Sequence, residues 1–178
     1  MKRLTVLCLP VLCLLVAALL PGARASAATY ANEDYRFEAD PPARLTMCTT
    51  PAPGSDHGFM VLPYAKDCSE LGSAERVSVF LANNTAWEVR SSKELGSHIC
   101  AGARIRESRE RIAGLHFLRC GPFKEGALSS TKYFALRLGA ESWIDWTQIS
   151  VTVYCRPVHA KECARVVHDT FRGLRFTK

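Results

Sequence analysis

The 178-residue sequence predicts an α+β fold, an antiparallel sheet with two main helices packed on it and disulfides stapling the whole. Three observations lead there. Short segments with an apolar residue at every second position recur along the chain. Two amphipathic segments with helical spacing interrupt them, one in mid-chain and one at the C-terminal end. An even number of cysteines remains once the start of the chain is set aside.

That start, "MKRLTVLCLPVLCLLVAALLPGARASAA", has the layout of a secretory signal peptide. Lys2 and Arg3 supply the charge, 4–20 the apolar run, and the small residues of "ARA" and "ASA" the cleavage signal after Ala25 or Ala27. We therefore expect a signal peptide over 1–27, a single exported domain over 28–178, and no stable membrane span after cleavage. Lys2, Arg3 and Arg24 would leave with the signal, so 23 Lys+Arg fall to 20 against 17 Asp+Glu, a net of +3 in place of +6. That balance is too mild for a nucleic-acid partner, which needs a clustered basic face.

Strands are expected at 35–39, 44–50 and 57–64, the last with Phe59 and Val61 on one face, after a frayed start at 29–34. The clearest is "RVSVFLA" (76–82), where Val77, Val79 and Leu81 alternate with Arg76, Ser78 and Phe80. In "NNTAWEVRSSKELGSHICAG", Thr85 is read as a helix cap with Glu88 as its capping-box partner, giving a helix over 86–100. "ARIRESRERIAGLHFLRC" reads as two strands around a charged turn, and 120–130, "CGPFKEGALSS", as a mobile loop. Strands follow at 132–140 and at 147–155, with Ile149, Val151 and Val153 facing one way. Pro157 opens a last helix that runs to Phe171 and stops before Gly173. The stretches "RVSVFLANNTAWEVRSSKEL" and "ISVTVYCRPVHAKECARVVHDTF" give an element order that resembles the Mog1/PsbP-like α/β sandwich. The resemblance implies a scaffold and assigns no residue a role.

Eight cysteines become six after cleavage: Cys48, Cys68, Cys100, Cys120, Cys155 and Cys163. An exported compartment is oxidising, so these are read as disulfides. Six cysteines allow about 15 connectivities, of which nearest-neighbour pairing is the simplest. "CRPVHAKECARVVHDTF" (155–171) poses a separate question, because Cys155, His159, Cys163 and His168 are residue types that zinc prefers. On an intact helix His168 falls about 140° from Cys163 and points elsewhere. At most Cys155, His159 and Cys163 converge, with a fourth ligand from afar. The expectation is a half-cystine at Cys163 and rim positions for both histidines, with no metal and no cofactor.

Common catalytic signatures are missing: no G-x-S-x-G elbow, no H-E-x-x-H helix, no phosphate-cradling glycine loop. This leans against an enzyme, although a secreted hydrolase with an unfamiliar site around His57 stays open. Two stretches suit binding. "AESWIDWTQ" places Trp143 and Trp146 beside Glu141 and Asp145, a set able to grip a sugar or a protein surface. "RIRESRER" places Arg104 and Arg106 on one strand face within a group of five arginines that counts Arg119, suited to an acidic partner. The leading expectation is a secreted or periplasmic non-catalytic binding protein, in its most concrete form an inhibitor or immunity factor against an envelope-attacking enzyme. Its partner would be another envelope or secreted protein, or an envelope polysaccharide. An envelope assembly factor is the third reading.

Overall fold

A computed structural model describes residues 29–49, 57–65, 67–70, 74–84, 88–139 and 146–177. Residues 1–27, the expected signal peptide, lie outside them. The main body is a seven-stranded antiparallel sheet of order β3-β4-β5-β9-β8-β7-β6. Its strands are β3 (Thr46–Thr49), β4 (His57–Leu62), β5 (Arg76–Asn83), β6 (Arg106–Ile112), β7 (Leu115–Glu125), β8 (Leu128–Arg137) and β9 (Thr147–Cys155). A second, three-stranded sheet joins β1 (Tyr30–Asn32), β2 (Phe37–Ala39) and β10 (Leu174–Phe176). The helices are α1 (Ser92–Ile99) and α2 (Ala160–Arg172), the latter preceded by a 3-10 turn at Pro157–His159.

Period-two alternation decides which face each strand buries. β5 pairs with β9 from Arg76 opposite Tyr154 to Asn83 opposite Thr147. Val77, Val79, Leu81, Ile149, Val151 and Val153 therefore share one face, and all are buried. α2 covers that face with Cys163, Val166, Val167, Thr170 and Phe171, and Phe171 meets Phe117 edge-on at 5.0 Å. The small sheet adds Phe37, Ala39 and Leu174 to the same core. The opposite face carries a smaller cluster, in which Val89 and Leu95 around α1 pack on Cys120, Phe134 and Leu136 of β7 and β8.

The α+β expectation holds, and its disulfides take the nearest-neighbour pattern: Cys48–Cys68, Cys100–Cys120 and Cys155–Cys163. Several local expectations need correction. The helix cap is Ser91, whose hydroxyl accepts from the Glu94 N–H at 3.1 Å, while the Glu94 carboxylate accepts from the Arg90 N–H at 2.8 Å. Thr85 lies outside the described residues, and Glu88 has a φ of 50°, which no helix admits. The turn between β6 and β7 is Ala113–Gly114, so the charges of "RESRER" lie in the strand itself. The stretch 120–130 is paired: β7 runs on to Glu125 and β8 starts at Leu128. The register shifts between Cys120 and Phe123, and Gly121 there has a φ of 106°, which only glycine adopts freely. The expected fray at 29–34 contains β1, and β10 follows the last helix. Among the described residues, no helix is long and apolar enough to cross a membrane.

Candidate functional site

β6 is an edge of the large sheet. Arg106 stands directly opposite Arg119 of β7, and Arg111 opposite His116. All four side chains are exposed, as are Arg104 and Arg109. Like charges facing each other across a ladder repel. Yet the ion pairs formed among the described residues include none of these arginines. Glu110, one of two carboxylates on their strand beside Glu107, lies 3.5 Å from His168 of α2. Arg119 bonds the Tyr133 phenol. Burial pushes that phenol above its ordinary range, and Arg119 pulls the other way. Arg104 precedes the strand, so it shares an exposed edge with Arg106 and not a strand face. The register shift between Glu107 and Arg111 twists this edge, which together with its charge discourages a stray strand from pairing there. What remains is an exposed basic edge that can attract an anionic surface.

The second expected site is only partly visible. Glu141, Trp143 and Asp145 lie outside the described residues. Trp146 is half-buried and packs against the cluster around α1, and its carbonyl accepts from the Asn84 N–H at 3.0 Å. Its ring thus anchors the start of β9. Asn84 ties the same corner further: its amide donates to the Val89 carbonyl at 2.7 Å and its side-chain oxygen accepts from Gln148 at 2.8 Å.

His57 sits on β4 opposite Leu81, with its ring 5.0 Å from that of Tyr35. The hydrogen bonds and ion pairs among the described residues give it no carboxylate to orient it and no hydroxyl to activate. An open cleft of about 410 Å³ lies between the end of α2 and the small sheet, lined by Asp40, Pro42, Asp169, Arg172, Gly173 and Arg175. Its charges are largely satisfied within the chain: Arg175 bonds Asp40 and Glu38, and Arg44 bonds Asp169.

One constellation escaped the sequence reading. Glu75 is buried, with its side chain 4% exposed. Its carboxylate accepts from the Arg156 N–H at 2.8 Å and contacts His159 Nδ1 at 2.8 and 3.0 Å. It also lies beside Cys155 and Cys163, and the three potential ligand atoms fall within 4.8 Å of one another. His159 is therefore half-exposed and tied to a buried acid, more than a rim residue. Tyr64, which is exposed, stands over its ring at 5.4 Å. In the disulfide form the two sulfurs bond each other and are not ligands. The signal missed was Glu75 itself, an acid just before a strand whose apolar alternation drew all the attention.

No protein-family model matches the chain, and no curated protein matches it. Among solved structures it is similar to the solution structure of cyanobacterial PsbP (CyanoP) from Synechocystis sp. PCC 6803, with a TM-score of 0.50 at 7% identity over 88% of this chain and 96% of that one. The chain thus has a PsbP-like fold.

Proposed function

We propose that this chain is an exported, non-catalytic binding protein that docks an acidic partner on the arginine ridge of its edge hairpin. In its most concrete form it is an inhibitor or immunity factor that captures a wall- or membrane-attacking enzyme. The observation that carries the reading is Arg106 set against Arg119 with neither in an ion pair among the described residues, an arrangement that costs stability in the free chain and is relieved by an anionic partner. The signal-like start and three disulfides support export. The strand–helix order of β5 before α1 and β9 before α2 supports kinship with the wider Mog1/PsbP-like group. The surroundings of His57 favour binding over hydrolysis, because a general base needs a nucleophile within hydrogen-bond reach.

The test uses the mature oxidised chain as immobilised bait on native envelope extract, beside its Arg106→Glu/Arg119→Glu and Trp146→Ala variants. We expect the charge-reversed bait to lose the captured partner by at least about tenfold and to keep its fold, because rim charges act mainly on association. Capture by the wild type should also weaken as salt shortens the Debye length. Capture that persists with both arginines reversed removes the ridge as the docking surface. Turnover of an envelope polymer that disappears with His57→Ala favours the hydrolase.

A further inference from the structure

We propose that the reduced form of this chain holds a zinc ion on Glu75, Cys155, His159 and Cys163. The sequence left room for three of these groups and required a fourth from afar. Glu75 is that fourth group, 84 positions before His159 and within hydrogen-bond reach of it. Two sulfurs, one imidazole nitrogen and one carboxylate oxygen form a donor set suited to a closed tetrahedral zinc site.

Three of the four groups already stand together, and His159, in contact with Glu75, must swing its ring toward the sulfurs to complete the set. The ligand atoms of Glu75, Cys155 and Cys163 already lie within 4.8 Å of one another. Two thiolates at about 2.3 Å from a tetrahedral zinc stand roughly 3.8 Å apart. The Cα atoms of Cys155 and Cys163 are 6.3 Å apart, so side-chain rotation alone can open the sulfurs to that spacing. The short contact between His159 Nδ1 and the Glu75 carboxylate holds a proton, and a metal ion can take that proton's place. All four groups sit on the last residue of β9, the turn after it, the first turn of α2 and the residue before β5. The pairing of β5 with β9 fixes Glu75 relative to Cys155.

The Cys100–Cys120 bridge lacks this setting and packs with Val89, Leu95, Phe134 and Leu136. Glu75, Cys155 and Cys163 are the grouping of potential ligands found among the described residues.

The redox step balances with a dithiol as reductant. The dithiol gives two electrons to the Cys155–Cys163 bond and becomes a disulfide itself, passing its two protons to the released sulfurs. Zinc then displaces a proton from each thiol to solvent and binds both thiolates. Reoxidation by exchange with a disulfide, which takes the two electrons and is reduced to a dithiol with two protons from solvent, expels the ion because bonded sulfurs no longer coordinate. Disulfide and zinc are thus alternative clamps between the end of β9 and the start of α2.

The experiment titrates zinc chloride, with cobalt(II) as the spectroscopic substitute, into the mature chain before and after reduction, with circular dichroism on each sample. We expect about one equivalent of zinc on the reduced chain, none on the oxidised chain, and a cobalt spectrum with a thiolate charge-transfer band. Cys155→Ser/Cys163→Ser should abolish that site. Glu75→Gln and His159→Gln should each weaken zinc by at least about tenfold, as far as loss of ligand orientation alone does in other sites. If the reduced chain loses its fold, zinc should restore it. The proposal is overturned if the reduced wild type takes up no zinc, if the fold is lost on reduction and zinc does not bring it back, if uptake persists in the double serine variant, or if Glu75→Gln and His159→Gln leave affinity and spectrum unchanged.

Discussion

Both helices are tied to the sheet by one disulfide, and the two ties sit in opposite surroundings. Cys100 caps α1 and reaches Cys120 of β7 inside an apolar cluster. Cys163 lies in the first turn of α2 and reaches Cys155 at the last residue of β9, next to a buried acid and a half-exposed imidazole. The first bridge packs in hydrocarbon, with the Lys132 ammonium opposite Cys120 bonded to the Ile99 carbonyl, and among the described residues no grouping of potential ligands borders it, so its role is to staple. The second is bordered by groups that titrate and ligate, so the same bond can have a second state. What a disulfide does is decided by its neighbours more than by the bond.

The largest expected effect tests that contrast directly. The Cys100–Cys120 bridge spans a separation of 20 residues and Cys155–Cys163 a separation of 8. Chain entropy alone then assigns about 3.3 kcal/mol to the first and about 2.5 kcal/mol to the second. Removing both sulfurs from the small α1 cluster also leaves a cavity with few neighbours able to fill it. Cys100→Ala/Cys120→Ala should therefore lower the urea midpoint further than Cys155→Ala/Cys163→Ala, each measured without reductant. A reversed order would make the β9–α2 bridge the main staple and undo the contrast.

The two anchors also differ in how well the sequence announced them. The two central strands were legible because their apolar residues alternate without a break: β9 was placed at its observed ends and β5 to within one residue, whereas β7 and β8 were cut short by the turn-like residues of 120–130. The last helix was legible for the same reason, with Pro157 before it and Gly173 after it. The α1 region was not, because two S/T-x-x-E patterns overlap there six residues apart. Local spacing cannot choose between Thr85 with Glu88 and Ser91 with Glu94. Asn84 fixes the described residues just before the cap, bonding the Val89 carbonyl and, across the sheet, Gln148 of β9, which local spacing does not reveal. β1 and β10 have three residues each, too short for any period, and exist because β2 lies between them. The basic ridge was visible as composition, whereas the Arg106–Arg119 confrontation needed the register. Glu75 was visible only as an acid before β5, and its partners are brought to it by the β5–β9 pairing.

A second prediction sharpens the α1 side of the comparison. Gly96 is buried in the middle of α1, where glycine is unfavourable by about 1 kcal/mol relative to alanine. It is tolerated because a Cβ there would stand 2.6 Å from the Phe134 ring and 2.7 Å from Ile105 Cδ1. Phe134 is fully buried and has no room to retreat. The overpacking penalty of about 1–3 kcal/mol outweighs the gain in helix propensity. Gly96→Ala should destabilise by about 1 kcal/mol in thermal unfolding, against the usual sign of such a change. A neutral or stabilised variant would show that α1 rides loosely on the sheet, leaving the disulfide as its main attachment.

The smallest effect belongs to the far end of α2, away from its disulfide. There the chain turns through Gly173 into β10, and the Asp40 N–H donates to the Gly173 carbonyl at 2.9 Å. Asp40 also accepts a side-chain hydrogen bond from Arg175, which holds its carboxyl below the ordinary value of 3.8. The folded state therefore favours the ionised form. The resulting stability is present above the unfolded value and is lost as pH falls through the folded one. The site is open to solvent, so screening makes the contribution small. In a carboxyl NMR titration, Arg175→Ala should move the Asp40 midpoint upward toward its ordinary value, with a slight loss of stability near neutrality that vanishes in acid. An unmoved midpoint would mean that Arg175 serves Glu38 instead. The hold on this end of α2 would then rest on the backbone bond to Gly173, and the polar side chains would add nothing that the disulfide at the other end lacks.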